Sequence, residues 1–241
     1  MRVCAVTDVG RKRSVNQDCV FYSQESIGSF PNLFIVADGM GGHKAGDLAS
    51  RLAVNTMVKR IKEIESGQYF EIFDKVISEV NAEIFRMGQS SPDLEGMGTT
   101  FVAAIRDGNA LSVVNIGDSR LYVIGQEIRQ ITKDHSLVEE MITFGEINRA
   151  EARVHENKNI ITRAIGAEEN IVVDYFEVDL DPFDSVLMCS DGLSNMLEDD
   201  EIFLAVKREV ETKDKVADLI EKANKNGGRD NVSVILIEPD K

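Results

Sequence analysis

Residues 99–124 read TTFVAAIRDGNALSVVNIGDSRLYVI, and the spacing of apolar and turn residues in this stretch decides the fold class. Three β-rich runs, 99–105, 111–116 and 121–124, are separated by only a few residues. A parallel crossover needs about a dozen residues or more, so the three strands run antiparallel. Towards the N-terminus the period becomes helical. Leu48, Ala49, Leu52, Ala53, Met57, Ile61 and Ile64 fall on one face of a helix that starts near Ala45. After Gly67, Phe70, Phe73, Ile77, Val80, Ile84 and Met87 recur at helical spacing. The short link between them predicts a helical hairpin packed on a sheet. Earlier still, 3–7, 20–22 and 33–37 read as strands.

Beyond the meander, Ser136 and Glu139 predict a capping box at the start of a short helix. Residues 144–163 are polar and weakly periodic, and a mobile surface flap is expected there. Strands are expected at 172–178, 185–189 and 232–237, and helices at 201–210 and 215–224. Strand, helix pair, meander, strands, helix pair and strand is an α+β order, unlike regular βαβ alternation. No Pro-, Ser- or Gly-rich linker interrupts the 241 residues, so one domain over 1–241 is expected.

The net charge of −15, from 27 basic and 42 acidic residues, argues against nucleic-acid or anionic-membrane partners, which need a basic footprint. No run approaches the roughly 20 apolar residues of a membrane span. Cys4, Cys19 and Cys189 form no CxxC pair, and the start reaches Asp8 too soon for a signal-peptide core. A soluble, cytoplasmic protein is expected, and nothing demands an oligomer.

Two apolar runs end alike: 33–37 leads into Asp38-Gly39, and 186–190 into Asp191-Gly192. Asp118 in Gly117-Asp118-Ser119-Arg120 and Asp230 in Gly228-Arg229-Asp230-Asn231 also stand beside turns or strand boundaries. Any one of these is ordinary turn chemistry. Four together can converge on hard cations, which prefer oxygen ligands. With His43, His135 and His155 as the only histidines, a metal site here is built from carboxylates and carbonyls, which suits Mg²⁺ or Mn²⁺ better than Zn²⁺. Two such ions bridged by one carboxylate can activate a water and clamp a phosphoryl group. Asp38 is the natural bridge, and Gly39 lets its backbone carbonyl approach an ion. Arg13 is the candidate phosphate ligand, Asp18 can orient a metal-bound water, and His43 can donate a proton. Other chemistries fail on spacing: no Arg stands six residues after a Cys, and no Asp stands three residues before a His to support a Ser119 esterase.

Taken in order, Arg13-x-x-Asn16-Gln17-Asp18, Asp38-Gly39-Met40-Gly41-Gly42-His43, Gly98-Thr99-Thr100, Gly117-Asp118-Ser119-Arg120, Asp134-His135-Ser136, Ser190-Asp191-Gly192-Leu193 and Arg229-Asp230-Asn231 closely resemble the metal-dependent protein serine/threonine phosphatases of the PPM (protein phosphatase 2C-type) family in their bacterial form. The resemblance covers essentially the whole chain. It implies a four-layer α-β-β-α sandwich of two antiparallel sheets flanked by helix pairs. It also implies hydrolysis of phosphoserine and phosphothreonine in proteins by direct attack of water at a binuclear Mn²⁺ or Mg²⁺ centre. By resemblance, Asp38, Gly39, Asp191 and Asp230 hold two ions, Asp118 and Asp191 hold a weaker third, and Arg13 holds the substrate phosphate. The implied partners are phosphorylated targets of a Ser/Thr kinase, or the kinase itself. The alternative is a catalytically silent phosphatase-like binding protein, which typically lacks one or more metal carboxylates. Three departures stand out: Gln17 where many members have Glu, Met40 where animal members have His, and His155-Glu156 in place of His-Pro.

Overall fold

The computed structural model describes residues 1–42 and 45–240. The interior strand β11 (Val232–Glu238) is buried along its whole length. The reason lies in its neighbours: β1 (Arg2–Asp8) pairs on one side and β10 (Ser185–Cys189) on the other, followed by β7 (Arg120–Ile124) and β8 (Ile128–Gln130). The second sheet runs β2 (Asp18–Ser23), β3 (Leu33–Met40), β5 (Phe101–Asp107), β6 (Ala110–Ile116) and β9 (Asp174–Asp179), with β4 (Gly98–Thr99) beside β3. Every strand pairing is antiparallel, including the meander β5-β6 and the hairpin β7-β8.

Period-two alternation sorts the apolar side chains into layers. Phe34, Val36, Val102 and Val113 of one sheet meet Leu121, Val186, Met188 and Ile235 of the other in the central core. The alternate residues Leu33, Ile35, Ala103 and Ile105 face outward onto α1 (Ala45–Lys62) and α2 (Tyr69–Gly88). On the opposite side Tyr122, Leu187, Cys189, Val234 and Leu236 pack under α6 (Asp199–Val206) and α7 (Thr212–Lys225). Both sheets are therefore covered on both faces, which explains why their strands read as continuous apolar runs. The result is the expected α+β architecture, with helices outside two antiparallel sheets.

Several local expectations change. Leu48 is 38% exposed; α1 approaches β3 through its small residues Ala45, Gly46, Ala49, Ser50 and Ala53. The predicted strand at 99–105 breaks at Thr100, between β4 and β5. The strand β8 and the short helix α5 (Asp191–Ser194) carry too few residues to show a period. The helix predicted at 201–210 spans Asp199–Val206; the Glu201 carboxylate accepts from Glu198 N at 2.9 Å and so holds an earlier start. Ser136 caps α3 (Leu137–Thr143), but only half of the predicted box forms. The Glu139 carboxylate instead pairs with Arg149 of α4 (Arg149–Val154) at 3.1 Å.

Candidate active site

Strand ends deliver the acids to one end of the sandwich. Asp18 opens β2 directly opposite Asp38 near the end of β3, and the two are cross-strand partners. Asp191 follows β10 and begins α5, Asp118 lies in the turn between β6 and β7, and Asp230 precedes β11. Backbone contacts fix the Asp38 peptide: its N–H donates to Thr100 Oγ1 at 2.9 Å, and its carbonyl accepts from Thr100 N at 2.8 Å and Thr99 Oγ1 at 2.9 Å. The break at Thr100 thus serves the site. At Gly39 a Cβ would collide with the Gly46 carbonyl, so only glycine lets α1 start this close to β3.

The electrostatics are those of crowded carboxylates. Asp18 is buried, and its pKa is pushed up to about 6 by burial, partly offset by hydroxyls of Ser233 and Ser190 that donate to Oδ2 at 2.6 and 2.8 Å. Asp191 is pushed up to about 7 by burial and then by Asp230 and Asp18. Asp38 rises well above the ordinary range through burial and four acidic neighbours: Asp18, Asp191, Asp118 and Asp230. Asp118 rises through burial, then Asp191 and Asp134. Oδ1 of Asp18 and Oδ1 of Asp191 have no hydrogen-bond partner. Among the described residues a single ion pair reaches the set, Arg13 Nη2 to Asp230 Oδ2 at 2.8 Å.

Excess desolvated negative charge in an all-oxygen donor set fits hard divalent cations. Among the described residues no three acidic, imidazole or thiol groups form a finished ligand cage. The fit rests on the unanswered charge and orphan oxygens of the set.

All the predicted acids and Arg13 lie at this end of the fold. Arg13, expected to be free for phosphate, is occupied by Asp230. His43 lies outside the described residues. The His155 ring serves its own turn, with Nδ1 accepting from Asn157 N at 3.1 Å. Sequence reasoning missed the supports. Asn231 staples the loop ahead of β2: its amide donates to the carbonyls of Val9 and Val15 at 2.9 and 3.0 Å, while its Oδ1 accepts from Gln17 N at 2.8 Å. Its place beside Asp230 was the available signal.

Beside the acids opens a cleft of about 800 Å³, whose lining includes Asp118, Asp191 and Asn195 together with Arg149, Arg153 and Lys158 of the 144–163 segment. Burial, with Arg229 and Arg153 nearby, pushes the Lys158 pKa down, and Asp191 opposes that shift.

The sequence profile of Protein phosphatase 2C matches residues 9–233. The chain belongs to that family. It is therefore a protein phosphatase, and its relatives agree. It is 42% identical to the Listeria monocytogenes serotype 4b (strain F2365) serine/threonine phosphatase stp, covering 97% of this chain and 94% of that one. It is 39% identical to the Streptococcus pneumoniae serotype 2 protein phosphatase PhpP, covering 98% of this chain and 97% of that one. The solved structure of the S. agalactiae serine/threonine phosphatase superposes with a TM-score of 0.93 at 37% identity over 99% of both chains. The catalytic domain of the phosphatase PstP, in complex with two manganese ions, superposes with a TM-score of 0.87 at 34% identity, covering 99% of this chain and 98% of that one. No helix among the described residues is long and apolar enough to cross a membrane.

Proposed function

We propose that this phosphatase hydrolyses phosphoserine and phosphothreonine in proteins at a Mn²⁺ or Mg²⁺ centre built on Asp38, the Gly39 carbonyl, Asp191 and Asp230, with a weaker ion at Asp118 and Asp191. The observation that carries this reading is the convergence of Asp18, Asp38, Asp118 and Asp191, all with raised pKa values, beside Asp230, with a single ion pair, Arg13 to Asp230, reaching the group among the described residues. When bound, two such ions supply Lewis acidity, lower the pKa of water and neutralise phosphoryl charge.

The chain's own groups do the rest. Asp38 faces Asp18 across the β2–β3 pair and feels the charges of both Asp18 and Asp191, the position from which one carboxylate would serve two ions. Asp18, held by Ser190 and Ser233, keeps Oδ1 free to orient the attacking water. Arg13 exchanges its carboxylate partner for the substrate phosphate, which it can engage bidentately. The whole chain acts as one catalytic domain, and residues 144–163 form a flap whose Arg149, Arg153 and Lys158 border the substrate cleft, the two arginines paired with Glu139 and Glu198. The substrates are phosphoproteins made by a Ser/Thr kinase, and the setting is cytoplasmic.

Phosphate release from a phosphothreonine peptide tests the reading. Mn²⁺ supports turnover, chelator abolishes it and Asp191→Asn removes nearly all of it. Turnover indifferent to chelator and to that substitution would falsify the metal-centre reading.

A further inference from the structure

The loop that carries Asp118 is held from an unexpected side. Gly117, one residue earlier, has φ of +101°, and a Cβ there would press on the Thr100 side chain at 2.7 Å. The buried His135 grips this glycine twice: its own N–H donates to Gly117 O at 2.9 Å, and its Nδ1 accepts from Gly117 N at 3.1 Å. A backbone N–H can only donate, so Nδ1 carries a lone pair and the proton of the neutral ring sits on Nε2. That proton has its acceptor in Asp174 Oδ2 at 3.1 Å, and Arg163 Nη1, a donor 3.2 Å from the same Nε2, turns its hydrogen to the other oxygen of Asp174 at 2.8 Å. Burial keeps the His135 pKa below the ordinary value, in accord with a neutral ring.

The same residue joins the trailing end of the 144–163 segment. His135 O accepts from Thr162 N at 2.8 Å, Ser136 forms a bridge with Ile161, and Leu137 N donates to Ile160 O at 2.9 Å. One side chain and its peptide therefore connect that segment, the start of β9 and the turn bearing Asp118.

We propose that His135, oriented by Asp174 and Arg163, is a positioning residue that aims the Asp118 carboxylate and ties it to the trailing end of the 144–163 segment. The consequence for ion binding rests on the reading of Asp118 as a ligand of the weaker ion. The clamp on Gly117 does not.

Three variants separate these points. His135→Asn places an amide oxygen near the Nδ1 position and keeps the acceptor for Gly117. His135→Gln reaches towards Asp174 but withdraws that acceptor, and His135→Leu removes both. In metal-free protein, amide exchange at Gly117 and Thr162 rises about tenfold or more in the Leu and Gln variants and stays near wild type in the Asn variant. Calorimetric Mn²⁺ titration then shows the weakest ion losing about tenfold or more in affinity in the Leu and Gln variants, with the tight ions unchanged and the Asn variant restored. Should His135→Leu fail to fold, the Asn and Gln pair carries the same contrast. Unchanged Gly117 exchange in the Gln variant overturns the proposal. So does a weak-ion affinity that falls in Asp118→Asn but is indifferent to His135→Gln. A weak ion indifferent to Asp118→Asn overturns the ligand reading instead, and the exchange data still decide the clamp.

Discussion

The two ends of β11 hold acids in opposite conditions. At its C-terminal end Glu238 is closed: Lys215 Nζ donates to Oε1 at 2.7 Å, Thr212 Oγ1 donates to Oε2 at 2.6 Å, and these partners bring the pKa below the ordinary value despite burial. Just before its N-terminal end lies the group containing Asp38, Asp191 and Asp18, where burial and like charge push pKa values up and oxygens lack partners. Glu238 is answered on both oxygens by protein donors, whereas Asp18 and Asp191 are answered on one oxygen each and keep the other without a partner.

The comparison breaks most visibly under substitution at its open end. Asp38→Asn lowers phosphate release by about a thousandfold or more. In chelator the same variant is at least as stable as wild type, since folding no longer has to desolvate or protonate a carboxylate among like charges. Thermal melts of both proteins with and without Mn²⁺ check this, and a large loss of stability in chelator would mean that Asp38 is structural.

Glu238→Gln should do the reverse. It leaves the Lys215 ammonium buried without its counter-charge and costs about 3–5 kcal/mol in denaturant unfolding. Turnover of the folded variant, measured well below its melting temperature, remains that of wild type.

pH sharpens the contrast without mutation. In the metal-free protein Asp18 and Asp191 hold protons up to about 6 and 7, whereas unfolded Asp loses its proton near 3.9. Between those values the folded state binds more protons than the unfolded chain, so this contribution to stability is lost as pH rises from about 4 to 7. Glu238 contributes with the opposite sign: its stabilisation is complete above the ordinary Glu value and disappears as pH falls below it. Unfolding midpoints in chelator are therefore higher at about pH 5 than at about pH 8, and Asp38→Asn reduces the difference. A midpoint that rises with pH would remove the open-end account.

The smallest effect falls on Arg13. Arg13→Ala raises KM for a phosphopeptide about tenfold while leaving Mn²⁺ affinity largely intact, which separate kinetic and calorimetric titrations would reveal. Equal kinetics would exclude a phosphate contact.

How far sequence reached depends on whether a feature is local. The antiparallel meander was legible because its turns are too short for anything else, and the acids were legible because Asp38 and Asp191 end apolar runs while Asp118 and Asp230 stand beside turns or strand boundaries. Leu48 misled because α1 packs through small residues that a hydrophobic count undervalues. Glu139 sits at capping-box spacing, yet a charge partner in α4 wins it. The pairing of Asp18 with Ser190 and Ser233 spans 172 and 215 residues, and that of Arg13 with Asp230 spans 217. Such contacts exist only after both sheets have packed, so no local pattern encodes them.

The central claim, that the acid cluster is held open for divalent cations, is tested most directly by titrating Mn²⁺ into chelator-treated protein at about pH 6 in two buffers of different ionisation enthalpy. Binding must displace protons held by the raised carboxylates, so the observed heats should differ between buffers in proportion to protons released. In Asp38→Asn both binding and proton release should fall sharply. Mn²⁺ binding without proton release, or binding unaltered by Asp38→Asn, would contradict the account.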